Sequence, residues 1–520
     1  RVMRRGTRQH VTGLVVNERP RIRRSDVDRL EAILTNCVRW GPASQNRRNH
    51  QDFRGHLEGR VAFTVYWSAF VCLLILIAEL FWVRGTDQTF KARVKLARER
   101  LNGTRIAALA AVSLLFVGSG AFIFYNTNVL NTYVSSDQQE ALQVRYEKDY
   151  KQYEGIVQPR ITKVHVDAQL YPERRRAEVA GVLTIVNKSD EAIPKFHVTL
   201  GDPLLDVAEV NIPGATLEHD DAELGYRIYA LAEPMAPGAT MEVEFDFQRE
   251  IKGFGNSSVN DSIAENGTFI NSSAFSPHFG YSPQGELSDP NDRRKHGLPE
   301  RARMPKLEDE AARANTYISS DSGWIVFSAN VTTSADQIAV APGYIAEETT
   351  EGDRRTFRYT MEAKILNFWS ILSADYKIET DEWVSPDGQS KVAIEVFHHA
   401  AHPYNIAKMI DSVKASLDYY TREFSPYQHH QVRILEFPQY ALFAQSFPNT
   451  IPYSEGMGFI ADENLDDDEV DYVYYVTAHE VAHQWWAHQV IGANVQGATI
   501  TSESLSQYSA LMVMEDHYGP

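Results

Sequence analysis

Two long apolar runs constrain this chain more than any other feature. Val61 to Val83 is 23 residues with one charge, Glu79, and Ile106 to Tyr125 is 20 residues with none. As helices, both are long enough to cross the ~30 Å hydrocarbon of a bilayer. They are internal and paired, so neither reads as a signal peptide. Trp67, Phe81, Trp82 and Tyr125 suit the depth at which aromatic rings collect at an interface. The reading is a transmembrane hairpin over 61–127, weighed against a buried core helix for either run alone. Glu79 reads as a side chain snorkelling to the membrane edge, not as part of an ion path.

Charge orients the hairpin. Residues 84–105 carry seven basic side chains (Arg84, Lys91, Arg93, Lys95, Arg98, Arg100 and Arg105) against Asp87 and Glu99. Short basic loops stay in the cytoplasm, which puts everything after about residue 128 on the extracytoplasmic side of an integral membrane protein. Residues 1–60 argue the other way, with fourteen arginines, no lysine, six acids and no periodic core. They are set apart as a basic segment. Residues 1–127 hold 21 basic and 9 acidic groups, a net of +12; the whole chain is −18, so residues 128–520 carry −30. A domain that acidic stays soluble and repels nucleic acid. Both cysteines, Cys37 and Cys72, lie outside it, so its core and not disulfides must hold it together.

Beyond the hairpin the hydrophobic period changes. Residues 128–157 read as a charged connecting helix. Val164–Ala168, Val179–Val186 and Met241–Phe247 alternate or run as buried strands, so residues 158–390 read as an all-β domain. Residues 252–310, rich in Asn, Ser, Gly and Pro, read as irregular loops, with Pro277–Tyr281 packed among them. A helical pattern returns from Ile406 to Phe424, and Val432–Phe437 reads as a strand. The fold class is α+β and multidomain.

His479-Glu480-Val481-Ala482-His483 carries the chemistry. Histidines four apart share one helix face, so both imidazoles reach one ion. Zinc takes neutral imidazole and carboxylate donors and keeps a position for water. Glu480, about 100° round the helix from His479, is placed to take a proton from that water. Val470, Val473, Tyr474, Val476, Thr477 and Val481 form a helix-compatible stripe, and the acidic run Asp466–Glu469 suits a helix N-terminus. Glu503, 20 residues beyond His483 on a second helical stretch, is the candidate third ligand, against a solvated helix-face glutamate. His398, His399, His402, His429, His430 and His488 read as surface histidines. Trp485 and Trp486 read as packing residues, and Tyr508 as core.

His479–Trp486 followed by Glu503 resembles the gluzincin metallopeptidases of the M1 aminopeptidase family. That family spaces its motif and its glutamate by eighteen residues; here Gln484 to Ser502 makes nineteen. The resemblance runs upstream, where Val432–Phe437 leads to Tyr453–Phe459 at the place of the family's Gly-x-Met-Glu-Asn segment. It implies substrate binding by Glu455, Gly456, Met457 and Gly458. The family's amine-gripping glutamate aligns with Gly458, and Glu455, three residues earlier, is the candidate in its stead. It also implies one zinc per chain, a thermolysin-like, mainly helical catalytic domain over 391–520, and a transition-state tyrosine expected beyond residue 520. Residues 158–390 are then similar to the family's N-terminal β domain. The hairpin and the join at Phe122–Asn131 resemble a bacterial group in which a multi-span ABC-transporter-permease-like region carries such a domain. That implies an inner-membrane location, further spans upstream of residue 61, and a separate ATP-binding subunit, since no glycine-rich phosphate loop is present.

Three readings follow: a membrane-anchored zinc aminopeptidase acting on peptides, a transport component whose peptidase-like domain binds peptides without hydrolysis, and a thermolysin-like endopeptidase. The base Glu480 favours the first over the second. Cleavage of N-terminally blocked peptides separates the third.

Overall fold

The computed structural model describes residues 10–11, 14–15, 21–22, 30, 34, 53–82, 89–255, 262–461 and 470–519. Cys37, Val83, Arg84, Asp87 and the run Asp466–Glu469 lie outside the described residues. The chain divides into two compact units, residues 1–133 with 252–259, and residues 134–251 with 260–520.

The first unit is built on two apolar helices, Phe53–Phe81 and Gly103–Phe124, the second continued by a π-helical turn over Tyr125–Leu130. Their apolar stretches, Leu57–Phe81 and Gly103–Leu130, each contain an 18-residue segment whose mean hydropathy is 2.4 and 2.3 respectively. At about 1.5 Å of rise per residue, both are long and apolar enough to cross a membrane. Past the apolar run, where the helix passes into this π turn, Asn126 and Thr127 bond back to the carbonyls of Phe122 and Ile123, both at 2.9 Å. Tyr66 and Phe116 stack at 4.6 Å between the helices. Gly120 admits that ring, since a Cβ there would lie 3.2 Å from Tyr66 Cε2. Arg100 donates to the carbonyls of Glu79, Leu80 and Trp82 (2.9, 3.1 and 2.7 Å), which the end of a helix leaves unsatisfied. Arg105 pairs with the Glu79 carboxylate at 2.8 Å, a partner that snorkelling did not anticipate. Of the basic segment 1–60, three two-residue strands, His10–Val11, Leu14–Val15 and Arg21–Ile22, and the start of the first long helix are described.

The second unit opens with the helix Ser136–Tyr150, started by a capping box between Ser135 and Gln138. This helix is docked, not free. It buries Val144, Tyr146, Glu147 and Tyr150, and Glu147 takes a two-pronged bond from buried Arg293, both arms 2.7 Å. The largest sheet runs Tyr344–Glu351, Arg354–Thr360, Ser322–Ser334, Arg160–Tyr171, Arg176–Val186, Thr240–Glu250, Val207–Asn211. All its neighbours are antiparallel except the central pair Ser322–Ser334 and Arg160–Tyr171. In Arg176–Val186 buried positions alternate with half-buried or exposed ones, the period-2 signal of the sequence. Within the expected loop region, Pro277–Phe279 pairs with Ile193–Leu200, and Phe279 and Tyr281 are buried.

A separate four-stranded sheet joins Tyr376–Val384, Lys391–His399, Gln431–Phe437 and Thr450–Ser454, the last three parallel. The helix Ile406–Glu423 makes the crossover that parallel pairing requires. Its Met409, Val413, Leu417 and Tyr420 are all 0 % exposed and share a core with Val473, Val481 and Trp485. Each such side chain contributes about 1.5–3 kcal/mol by leaving water. This lobe, with the helices Tyr472–Ala482 and Leu505–Tyr518, carries the site. The architecture is mixed α/β and multidomain, with two apolar helices and large β sheets.

Candidate metal centre

The helix Tyr472–Ala482 is aligned from both ends. Asp471 caps it, accepting from Tyr474 N at 3.0 Å, and is itself held by Lys408 at 2.9 Å and Tyr518 at 2.8 Å. Along its length Ser412 Oγ donates to the Tyr474 carbonyl at 2.7 Å, and Tyr420 Oη to that of Ala478 at 2.9 Å. The helix ends sooner than an uninterrupted pattern suggests: Ala482 is its last residue and turns follow from His483. The closing bond from His483 N to His479 O, 3.2 Å, still keeps the two histidines one turn apart.

Their rings meet edge to face with centroids 4.5 Å apart and Nε2 atoms 3.0 Å apart. Glu503 arrives from a π-helical turn, Ile500–Ser504, ahead of the helix Leu505–Tyr518. A π turn holds one residue more than an α turn, which is the size of the excess over an eighteen-residue spacing. Glu503 Oε2 lies 3.6 Å from His479 Nε2 and 3.8 Å from His483 Nε2. The structure thus brings His479, His483 and Glu503 to one point, each with a donor within 4.8 Å of the others. Ser506 Oγ, 3.1 Å from His483 Nδ1, orients that ring from behind.

Glu480 is 5 % exposed, and its Oε2 has no hydrogen-bond partner. Burial, and then the charge of Glu503, push its carboxyl up to about 8. Burial, and then the neighbouring His479, push His483 down to about 4, so its imidazole stays neutral and keeps a lone pair to offer. The Glu503 carboxyl is held below its usual value by its bond with His479 and the nearness of His483.

A cavity of about 210 Å³ opens over these groups, lined among others by Tyr317, Phe368, Ser446, Glu480, His488 and Glu503. Tyr317 Oη and Ser502 Oγ meet at 2.5 Å and tie the π turn to the segment before the strand Ser322–Ser334. Tyr317 and Ser446 have no sequence signal: neither lies in a motif, and only the fold brings them to the helix Tyr472–Ala482. Gln484, next to the motif, works behind it, donating to Ser446 Oγ at 2.6 Å and to the Phe447 carbonyl at 2.9 Å.

The lining includes none of Glu455, Gly456, Met457 and Gly458. Glu455 is 0 % exposed; its Oε1 accepts from Gln439 N at 3.0 Å, and burial pushes its carboxyl up to about 9. At Gly458 a Cβ would lie 2.6 Å from Met409 Cε and 3.1 Å from the Tyr453 ring, so a glutamate there requires both neighbours to shift. Gly456 is closed by Gln439, whose Nε2 would be 2.4 Å from a Cβ, and Met457 packs against the lobe's core.

Several sequence expectations are corrected. His398, His399, His402, His429 and His488 are buried, not on the surface; of that group His430 is exposed. Tyr508 is 57 % exposed, on the outer face of its helix, so it is not a core residue. Trp485 and Trp486 do pack, their Nε1 groups donating to Ser425 O and Ser509 Oγ, both at 2.9 Å.

No family model and no curated protein matches the chain. Solved structures do. One is aminopeptidase A of Legionella pneumophila in complex with aspartic acid, 13 % identical, covering 72 % of this chain and 39 % of that one, with a TM-score of 0.51. Another is the M1 zinc metallopeptidase of Deinococcus radiodurans, 15 % identical, covering 69 % and 72 %, with a TM-score of 0.46. The likeness to the Legionella aminopeptidase is one of fold.

The trio fits zinc. Two imidazole nitrogens and a carboxylate oxygen are zinc's usual donors at a catalytic site. They border the cavity, and the orphaned Glu480 oxygen stands beside them.

Proposed function

We propose that the chain is a zinc-dependent peptidase, with Glu480 as its general base. The observation that carries this is the convergence of His479, His483 and Glu503 beside a buried carboxyl with an unpartnered oxygen. These three residues would hold the ion, which when bound polarises a carbonyl and acidifies water. Glu480 Oε2 takes the water's proton and returns it to the leaving amine. The Phe368 ring and the Leu366 side chain give the cavity an apolar stretch of wall.

On this reading the helices Leu57–Phe81 and Gly103–Leu130 cross a bilayer as a hairpin, with the basic connection cytoplasmic and the peptidase domain extracytoplasmic. Hydropathy and the basic residues of 89–105 support it. The partners are a peptide, the lipid bilayer and, if the membrane region belongs to a transporter, a separate ATP-binding chain. Aminopeptidase-like preference is the first choice for the substrate; Glu455, buried and outside the cavity lining, is not placed to grip a free amine.

The test is hydrolysis of paired peptides that differ only in a blocked amino terminus. Cleavage confined to free-amine peptides supports exopeptidase action. Equal cleavage makes the chain an endopeptidase, and binding without cleavage by the zinc-loaded protein makes it a peptide-binding transport component.

A further inference from the structure

The parallel strands Lys391–His399, Gln431–Phe437 and Thr450–Ser454 end level with one another: Phe397 pairs with Leu435, and Phe437 with Ser454. This register brings His399, Glu436 and Glu455 to the carboxyl edge of the sheet. The turn after the first strand adds His402, whose N–H donates to the His399 carbonyl at 2.8 Å. All four side chains are buried, and one donor atom from each lies within 4.8 Å of the others. His399 Nδ1 is 3.6 Å from Glu436 Oε1, His402 Nδ1 bonds the same oxygen, and His402 Nδ1 is 3.9 Å from Glu455 Oε2.

Four bonds of about 2.0–2.2 Å to a tetrahedral ion put its donors roughly 3.3–3.6 Å apart. The trio in the cavity, at 3.0, 3.6 and 3.8 Å, and the 3.6 and 3.9 Å contacts of this quartet lie around that spacing, while the closer His402–Glu436 hydrogen bond has to open to admit an ion. Backbone groups already aim both carboxylates. His399 N donates to Glu436 Oε2 at 2.6 Å, and Gln439 N to Glu455 Oε1 at 3.0 Å. Glu455 Oε2 is left facing the cluster, fully buried and without a hydrogen-bond partner. A carboxylate oxygen that dry carries a desolvation cost that a cation offsets.

We propose that His399, His402, Glu436 and Glu455 form a second divalent-metal site, for zinc or another first-row ion that accepts nitrogen and oxygen donors. Four protein donors leave no open position, the arrangement of a structural rather than a catalytic site. None of the four lines the cavity, so the ion's work is to clamp the ends of three strands. The site stands independently of the peptidase reading.

The test is the metal content of the purified full chain after zinc loading and dialysis. Two ions per chain are expected in the wild type, and one in His479→Ala/His483→Ala. That remaining ion is lost when His402→Asn and Glu455→Gln are added. A folded His479→Ala/His483→Ala chain without zinc overturns the proposal, as does a His402→Asn/Glu455→Gln chain that still holds two. If the combined variant does not fold, Co²⁺ titration of the His479→Ala/His483→Ala chain decides. One equivalent giving a four-coordinate ligand-field spectrum supports the site, and no such spectrum overturns it. Failure of the first site looks different: the wild type would hold one ion that His479→Ala/His483→Ala does not remove.

Discussion

Replacing Glu480 with glutamine separates the roles the structure gives this side chain. The amide has nearly the same volume, so His479, His483 and Glu503 keep their positions and zinc content stays unchanged. Catalysis has no substitute base, because the other carboxylate in the lining is Glu503, the proposed third metal ligand, and burial pushes the His488 imidazole down to about 4, too weak a base to replace it. General-base catalysis contributes about 10²–10⁴-fold, so kcat/KM falls by that factor, or roughly 3–5 kcal/mol of barrier. Stability moves the opposite way in the metal-free protein. The folded chain holds the Glu480 carboxyl at about 8, above its usual 4.5. A raised carboxyl binds its proton more tightly folded than unfolded, so folding weakens as pH climbs through that window. By pH 8 the cost is on the order of 3–5 kcal/mol, and glutamine removes it. Chelator-treated Glu480→Gln should therefore melt several degrees above chelator-treated wild type at pH 8, and the gap should close towards pH 5. Turnover within tenfold of wild type would refute Glu480 as the base. Equal melting at pH 8 would refute the buried, unpaired carboxyl.

Three further outcomes are expected. Glu503→Ala removes one of three donors and should weaken zinc binding by more than the 10–100-fold typical of an outer hydrogen-bond partner, measured by competition with a chelator. Leu417→Ala, at a site 0 % exposed in the core beneath the metal helix, should cost about 2–5 kcal/mol in denaturant unfolding of the domain. Gly458→Glu, which restores the residue type found there in the M1 pattern, should yield little soluble protein, because Met409 and Tyr453 occupy that space. Soluble, more active protein would mean that this turn can reopen.

Elements coded over one or two turns of chain were legible from the residues alone. The pair His479 and His483 follows from helical periodicity, and the apolar helices follow from length and hydropathy. Glu503 was readable as a candidate because twenty residues suffice for a loop and a returning helix; its π-helical turn was not. The cavity wall was hidden for a different reason. Tyr317 comes from a segment over 150 residues before the metal helix, and the chain has no local pattern that says where such a segment docks.

The histidines before Pro403 show the division most clearly. Read along the chain, His399 and His402 lack a nearby carboxylate and look like surface residues. The parallel register of three strands supplies Glu436 and Glu455 from across the sheet and buries all four. Local periodicity and composition thus determined the helices, the alternating strands and the pairing of His479 with His483 on one helix face, because those depend on neighbours a few residues apart. Strand order, burial and the meeting of distant polar groups were decided by tertiary packing alone, since which surfaces are removed from water depends on contacts between segments far apart in sequence.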